Sequence, residues 1–335
     1  MGLSTRLNPS LNTNTFLGVD GGGTKTAFIL INSDGQILAR HQETTSYYLE
    51  AGLDNTRALL EKGTLVTLAK AQISPSDLGF AFFGLPAYGE DSALQDQLDS
   101  LPAEFLERNQ YLCGSDVICS WAGSLACENG ISVISGTGSM AYGEYEGNGA
   151  RCGGWGELFS DEGSAYWIAR EGLTLFSKMS DGRAEKGPLH TLLMTRFKLA
   201  QELDLCGHVY TTLGAQRSLI AQISHVVAEA ALAGDMQANA IFERAAAELI
   251  QIVVALRKIL QVPDQIVFPV SYSGGVFDSG RLLLDPFRYG LQGLNFAVKN
   301  PVLSPVIGAA MYAAKRAGLH LSQAAVGRLS QLSDA

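Results

Sequence analysis

The chain has 335 residues, with 24 Lys+Arg against 33 Asp+Glu and a formal net charge of -9. That length is more than one hydrophobic core serves, so two domains are expected. An acidic chain without basic clusters argues against nucleic acid as the main partner, and no apolar run approaches the ~18 residues of a membrane span.

Residues 1–14 are polar, lack the apolar core of a secretory signal and read as a disordered tail. The opening Met-Gly-Leu-Ser-Thr-Arg matches a myristoylation start only loosely. Phe16 to Val19 is a short apolar strand ending in Asp20, followed by the turn Gly21-Gly22-Gly23-Thr24. Lys25 to Ile31 is a second strand, residues 32–35 a hairpin turn, and Gln36 to Gln42 a third strand. The glycine turn therefore leads into a strand, whereas a dinucleotide-binding glycine loop leads into a helix. No G-x-x-x-x-G-K-[ST] phosphate loop is present either.

Leu53 to Gln72 has helical spacing, with Leu59, Leu60, Leu65 and Leu68 able to share a face. Phe80 to Phe83 is a buried strand ending in Gly84-Leu85-Pro86. Gln110 to Cys113 is another, ending in Gly114-Ser115-Asp116, and Val117 to Cys127 is a helix rich in small residues. A second pass of the opening pattern begins at Ile131. A strand runs into Ser135-Gly136-Thr137-Gly138-Ser139, then a strand Met140 to Tyr145 and a turn at 146–149. GVDGGGTKTAFIL and VISGTGSMAYGEY share the order strand, Gly/Thr turn, strand, which points to a duplicated domain.

Arg151 to Gly156 then reads as a loop, and Asp161-Glu162-Gly163-Ser164 precedes a helix Ala165 to Lys178. Residues 218–260 are helical with one break, where Gly234 ends the first helix and Asp235 caps the second. Ile241, Ala245, Leu249 and Val253 form the buried stripe of that second helix. Ile266 to Val270 is a strand leading to Gly274-Gly275, and Pro305 opens a closing helix. Strands and helices alternate in both halves, so the class is α/β.

A glycine turn exposes successive backbone N–H groups that phosphate oxygens can approach closely. Gly21, Gly22 and Gly23 form one such turn, Thr24 adds a hydroxyl and Lys25 a charge. Asp20 beside it is placed to hold Mg²⁺. Gly136, Thr137, Gly138 and Ser139 repeat the donors, and Gly274-Gly275 is a third turn of this kind. Two loops in duplicated halves describe a cleft that clamps a nucleoside triphosphate.

These motifs, followed by Gly153-Gly-Trp-Gly156, Asp161-Glu-Gly-Ser-Ala-Tyr-Trp167 and Ser273-Gly-Gly-Val276, resemble the sugar kinase/Hsp70/actin superfamily. More narrowly they resemble the N-acetylglucosamine kinase branch of the BadF/BadG/BcrA/BcrD ATPase family, over about residues 16 to 315. The resemblance implies duplicated actin-like (ribonuclease H-like) ATPase domains with nucleotide and sugar in the cleft. It implies a kinase that uses ATP and Mg²⁺ to phosphorylate the 6-hydroxyl of N-acetylglucosamine. By the same resemblance Thr24 and Thr137 touch ATP, Gly274 and Gly275 form the adenosine loop, and Asp116 is the catalytic base. Gly154, Trp155, Gly156 and Asp161 match the sugar-contacting segment.

Asp116 and Asp161 each also read as caps of the helices that follow them. A strand-end carboxylate that can accept a hydroxyl proton is nevertheless what phosphoryl transfer needs, and the loops favour catalysis for Asp116. Trp155 between glycines has no evident core role, whereas Trp121 and Trp167 read as packing residues on helices. The family's sugar-contacting Asn is missing: the corresponding segment reads Thr45-Ser46-Tyr47-Tyr48, so Ser46 and Tyr47 take that place. A Tyr hydroxyl offers fewer hydrogen bonds than an amide and more bulk, which leaves glucosamine or another hexosamine open as substrate. Gly84-Leu85-Pro86-Ala87 lacks the serines of some members.

The expected division is 15–121 for the first ATPase domain and 122–320 for the second, with 321–335 packing back on the first. The five cysteines, Cys113, Cys119, Cys127, Cys152 and Cys206, fit reduced thiols in a cytoplasmic protein. They keep one alternative open, an iron–sulfur ATPase activator of a radical dehydratase. A sugar-sensing regulator is disfavoured, because fourteen polar residues cannot form a helix-turn-helix. A small-molecule amino sugar is the expected partner, and a homodimer stays open.

Overall fold

The structure, a computed structural model, describes residues 14–331. The expected disordered tail thus lies outside the described residues except for Asn14. The chain divides into two units, residues 1–128 with 300–335 and residues 129–299.

The first unit opens as the meander read from the sequence. Strands β1 (Thr15–Gly21), β2 (Thr26–Asn32) and β3 (Ile37–Glu43) pair antiparallel. A short helix, α1 (Tyr48–Ala51), precedes α2 (Leu53–Lys70). Then come β4 (Phe80–Leu85), α3 (Gln95–Ser100), β5 (Tyr111–Ser115) and α4 (Val117–Leu125). β4 lies parallel between β1 and β5, giving the order β3-β2-β1-β4-β5. Every residue of β4 is buried, which is why Phe-Ala-Phe-Phe reads as a continuous apolar run.

The buried face of α2 is not the leucine stripe expected. It consists of Thr56, Leu60, Gly63, Thr64, Thr67 and Leu68, while Leu65 is exposed. Gly63 decides this rotation: a Cβ there would sit 2.2 Å from the Phe28 ring, so the bare backbone rests on the sheet. Close approach at glycine outweighs the alignment of the larger side chains.

The second unit repeats the plan. β6 (Gly130–Ser135), β7 (Ser139–Tyr145) and β8 (Asn148–Gly153) form the meander. The stretch from Arg151 to Gly153, expected as loop, is the end of β8, paired with Met140 to Tyr142. Helices follow at α5 (Ala165–Ser180), α6 (Pro188–Arg196), α7 (Asp204–Gly207), α8 (Arg217–Ala221), α9 (Ile223–Leu232) and α10 (Met236–Ile259). Asp235 caps α10 by accepting from the N–H groups of Gln237 and Ala238. Ile241, Ala245, Leu249 and Val253 on α10 are buried as the periodicity indicates. β9 (Phe268–Ser273), α11 (Leu284–Leu291) and β10 (Phe296–Val298) complete the sheet β10-β9-β6-β7-β8. Strand for strand this is the order of the first unit, so the duplication read from two glycine turns extends to the whole sheet.

The chain then rejoins the first unit through α12 (Pro305–Arg316) and α13 (Gln323–Gln331). α12 packs on β1 and α4 by backbone contact. A Cβ on Gly18 would lie 2.2 Å from the Ala310 nitrogen, and one on Gly308 would lie 2.4 Å from the Cys119 carbonyl oxygen. The Arg328 guanidinium on α13 donates to the Asp34 carbonyl in the first hairpin turn. The expected boundary at 121/122 is therefore corrected on two points. It would cut α4 in the middle, and it would assign α12 to the wrong unit.

Candidate active site

In the first unit, β1 carries Asp20 and Gly21 at its end, where Asp20 pairs with Gly84 of β4. The turn beyond is open: Gly23, Thr24 and Lys25 are exposed, and a Cβ on Gly23 would meet nothing within 4 Å. The turn is tied from one side by Thr45. Thr45 Oγ1 donates to the Gly22 carbonyl at 2.9 Å and accepts from the Tyr47 N–H at 3.0 Å. Ser46 is fully buried, and a Cβ on Gly21 would lie 2.4 Å from its Oγ. That hydroxyl has no hydrogen-bond partner, so Ser46 packs beneath the turn. Tyr47 is half-buried at the N-cap of α1.

Asp116 follows β5 and occupies the N-cap of α4, yet its side chain makes no capping hydrogen bond. Its backbone N–H donates to the Leu85 carbonyl, and its Oδ1 accepts from the Ser115 hydroxyl at 3.3 Å. Gly84 lets this turn and Cys119 close in: a Cβ there would meet Cys119 Sγ at 2.2 Å and Asp116 Cα at 3.2 Å. Burial pushes the Asp116 carboxyl up to about 7, and the negative charge of Asp20 adds to the rise. Burial likewise raises Asp20 to about 7, offset in part by hydrogen bonding to Cys119 and by the charge of Lys25. Two carboxylates at the ends of β1 and β5, on either side of β4 and without a salt-bridge partner among the described residues, repel each other unless a proton or a cation lies with them.

In the second unit, the turn after β6 is held by its own carbonyls and hydroxyls. The Ala165 N–H donates to the Gly136 carbonyl, Ser135 Oγ to the Gly163 carbonyl and Ser139 Oγ to the Glu162 carbonyl. Ser139 is buried and its hydroxyl is spent on this tie, while Thr137 is exposed and Gly136 has open space where a Cβ would be. The Gly274-Gly275 turn sits against it: Gly274 has φ +96, and a Cβ there would lie 2.3 Å from the Ser135 carbonyl oxygen. Gly275 is exposed with room beside it. Gly274 is thus required by packing, and Gly275 is the member of the pair open to a ligand.

The cap of α5 is Ser164, which accepts from the Trp167 N–H at 3.1 Å, so Asp161 is not the helix cap. Asp161 is buried, has φ +60, and accepts from Arg217 Nη2. Burial raises its pKa, and Arg217 works against that rise. Arg217 was invisible in the sequence, since it lies 56 positions from its partner in an unmarked segment. Gly154 and Gly156 flank Trp155, which is 71% exposed and free of core duty, whereas Trp121 and Trp167 are buried as expected.

Each unit therefore presents a strand–turn–strand glycine loop with an exposed Thr, and the first adds paired carboxylates. A family profile described as the BadF/BadG/BcrA/BcrD ATPase family matches residues 17–313. The chain belongs to that family.

As a BadF/BadG/BcrA/BcrD-family ATPase it uses ATP. An N-acetyl-D-glucosamine kinase of Dictyostelium discoideum is 30% identical over 312 residues, covering 89% of this chain and 97% of the relative. An N-acetylmuramic acid/N-acetylglucosamine kinase of Clostridium acetobutylicum is 30% identical over 284 residues, covering 84% and 90%. Among solved structures, a candidate N-acetylglucosamine kinase of Chromobacterium violaceum superposes with TM-score 0.67 at 23% identity, over 90% of this chain and 99% of the other. That likeness shows the fold, which is the duplicated actin-like one.

Proposed function

We propose that the protein is an ATP-dependent amino-sugar kinase that transfers the γ-phosphate to the 6-hydroxyl of N-acetylglucosamine. One observation carries the chemistry: Asp116 is a strand-end carboxylate, pushed up to about 7, that has no capping role. Such a group is a base tuned to the pH at which it works. Asp116 takes the proton as the sugar oxygen bonds to the γ-phosphorus and the bond to the ADP oxygen breaks. The open turn Gly22 to Lys25 and the exposed Thr137 suit the phosphates, Gly275 the adenosine, and Trp155 with Asp161 the sugar. Asp20 is the carboxylate that fits Mg²⁺, since a divalent cation compensates its buried negative charge and leaves Asp116 free as the base. When bound, the cation neutralises charge developing on the phosphates.

The iron–sulfur alternative is less well supported. Cys113 and Cys119 are buried, and burial pushes both thiols well above their ordinary range, the reverse of what cluster ligands need. A coupled ADP-release assay across hexoses and amino sugars tests the reading. The highest kcat/KM is expected on N-acetylglucosamine, and ADP release indifferent to every sugar would overturn it.

A further inference from the structure

Arg217 touches both functional loops of the second unit. Its Nη2 donates to Asp161 Oδ2, and its Nε lies 3.5 Å from Glu157 Oε2, buried and without a hydrogen bond of its own. The same Nη2 lies 2.4 Å from where a Cβ on Gly138 would be, and Asp161 Oδ2 lies 2.8 Å from that point. The ion pair thus rests directly on the second phosphate loop, in space only a glycine leaves free. Asp161 is 3% exposed, and the half-exposed Arg217 is its ion-pair partner.

We propose that Arg217 is a positioning residue: it holds Asp161 ionised and aimed for the sugar while it braces the Gly138 loop for the nucleotide. The proposal rests on the reading of Asp161 as a sugar contact and of the Gly136–Ser139 turn as a phosphate contact.

The charges around Asp161 give this role a chemical consequence. Glu157 and Glu162 face it and disfavour its ionised form, as does burial; Arg217 and the Ser139 N–H favour it. With Arg217 gone, the forces that remain are mostly those that protonate the carboxyl. A protonated carboxyl donates from one oxygen, whereas the carboxylate accepts from sugar hydroxyls at both. Sugar affinity then falls more steeply towards low pH than in the wild type.

The test measures KM for N-acetylglucosamine and for ATP from pH 5.5 to 9 in the full chain and in Arg217→Met, Arg217→Gln, Arg217→Lys and Asp161→Asn, with circular dichroism as the check on folding. Arg217→Met should raise the sugar KM at least tenfold at pH 6.5, recover much of it at pH 9, and raise the ATP KM several-fold, with kcat changed least. Arg217→Lys should restore most of the loss at every pH. Arg217→Gln gives the same readout if the Met variant fails to fold. A sugar KM unchanged in the charge-removing variants, or raised equally at every pH and not rescued by Lys, overturns the role of Arg217. Asp161→Asn separates the two levels: if it leaves the sugar KM unmoved, the assignment of Asp161 to the sugar itself fails.

Discussion

Replacing Asp116 by Asn separates catalysis from stability with opposite signs. The side chain makes no capping hydrogen bond, and the amide oxygen still accepts from Ser115 and can accept from the Val117 N–H. The carboxyl stands at about 7 in the folded chain against an ordinary 3.8. The folded state therefore holds a proton that the unfolded chain has released, and stability falls as pH rises between those two values and levels off above about 7. That separation corresponds to ~4 kcal/mol, and partial solvent contact together with coupling to Asp20 reduces this to ~1–2 kcal/mol. Asp116→Asn should then match the wild type near pH 4.5 and exceed it by ~1–2 kcal/mol at pH 8 in the presence of a chelator. Its kcat should fall by roughly 10²-fold or more. Urea unfolding at the two pH values and steady-state ADP release check both limbs. A variant less stable than wild type at pH 8 would show that the carboxylate is well satisfied in the fold, and normal turnover would remove Asp116 from the mechanism.

The open glycines give a cleaner probe of the nucleotide loops than the packed ones. Gly23→Ala and Gly136→Ala should fold normally and raise the ATP KM, because only a ligand would meet the new methyl; Gly138→Ala should lower the unfolding midpoint, because its methyl meets Arg217 and Asp161. Thr24→Val and Thr137→Val should weaken ATP use more than sugar binding, as both hydroxyls face solvent, and an unmoved ATP KM would refute the assignment. Tyr47→Asn should change the ratio of kcat/KM between N-acetylglucosamine and glucosamine by about tenfold to a hundredfold, the worth of one buried hydrogen bond; an unchanged ratio places Tyr47 outside the pocket.

Most of the fold was legible because its signals are local. β4 announces itself as a run of apolar residues, and the two Gly/Thr turns mark the same meander twice. The rotation of α2 was not legible, since it depends on Gly63 meeting a ring on another element. The two units could not be divided correctly either, because nothing near Pro305 says that its helix belongs with a strand almost three hundred residues earlier. At the site, Asp20, Asp116 and the glycine turns stood out as strand-end motifs. Thr45 and Arg217 did not, since an ordinary Thr and an ordinary Arg acquire their roles only from partners far along the chain. Ser46 shows what the family pattern does not reveal: its hydroxyl is buried against Gly21.

The return of α12 to β1 also fixes an order of assembly during synthesis. The first five strands leave the ribosome early, but the surface of β1 beside Gly18 lacks its cover until Ala309 and Ala310 are made. The whole of 129–299 is synthesised in the meantime and carries its own core. The middle of the polypeptide can thus be folded while its beginning still waits for its end. A released chain ending at residue 300 should resist protease across the second unit and be cut within the first, and the full chain should lose that sensitivity.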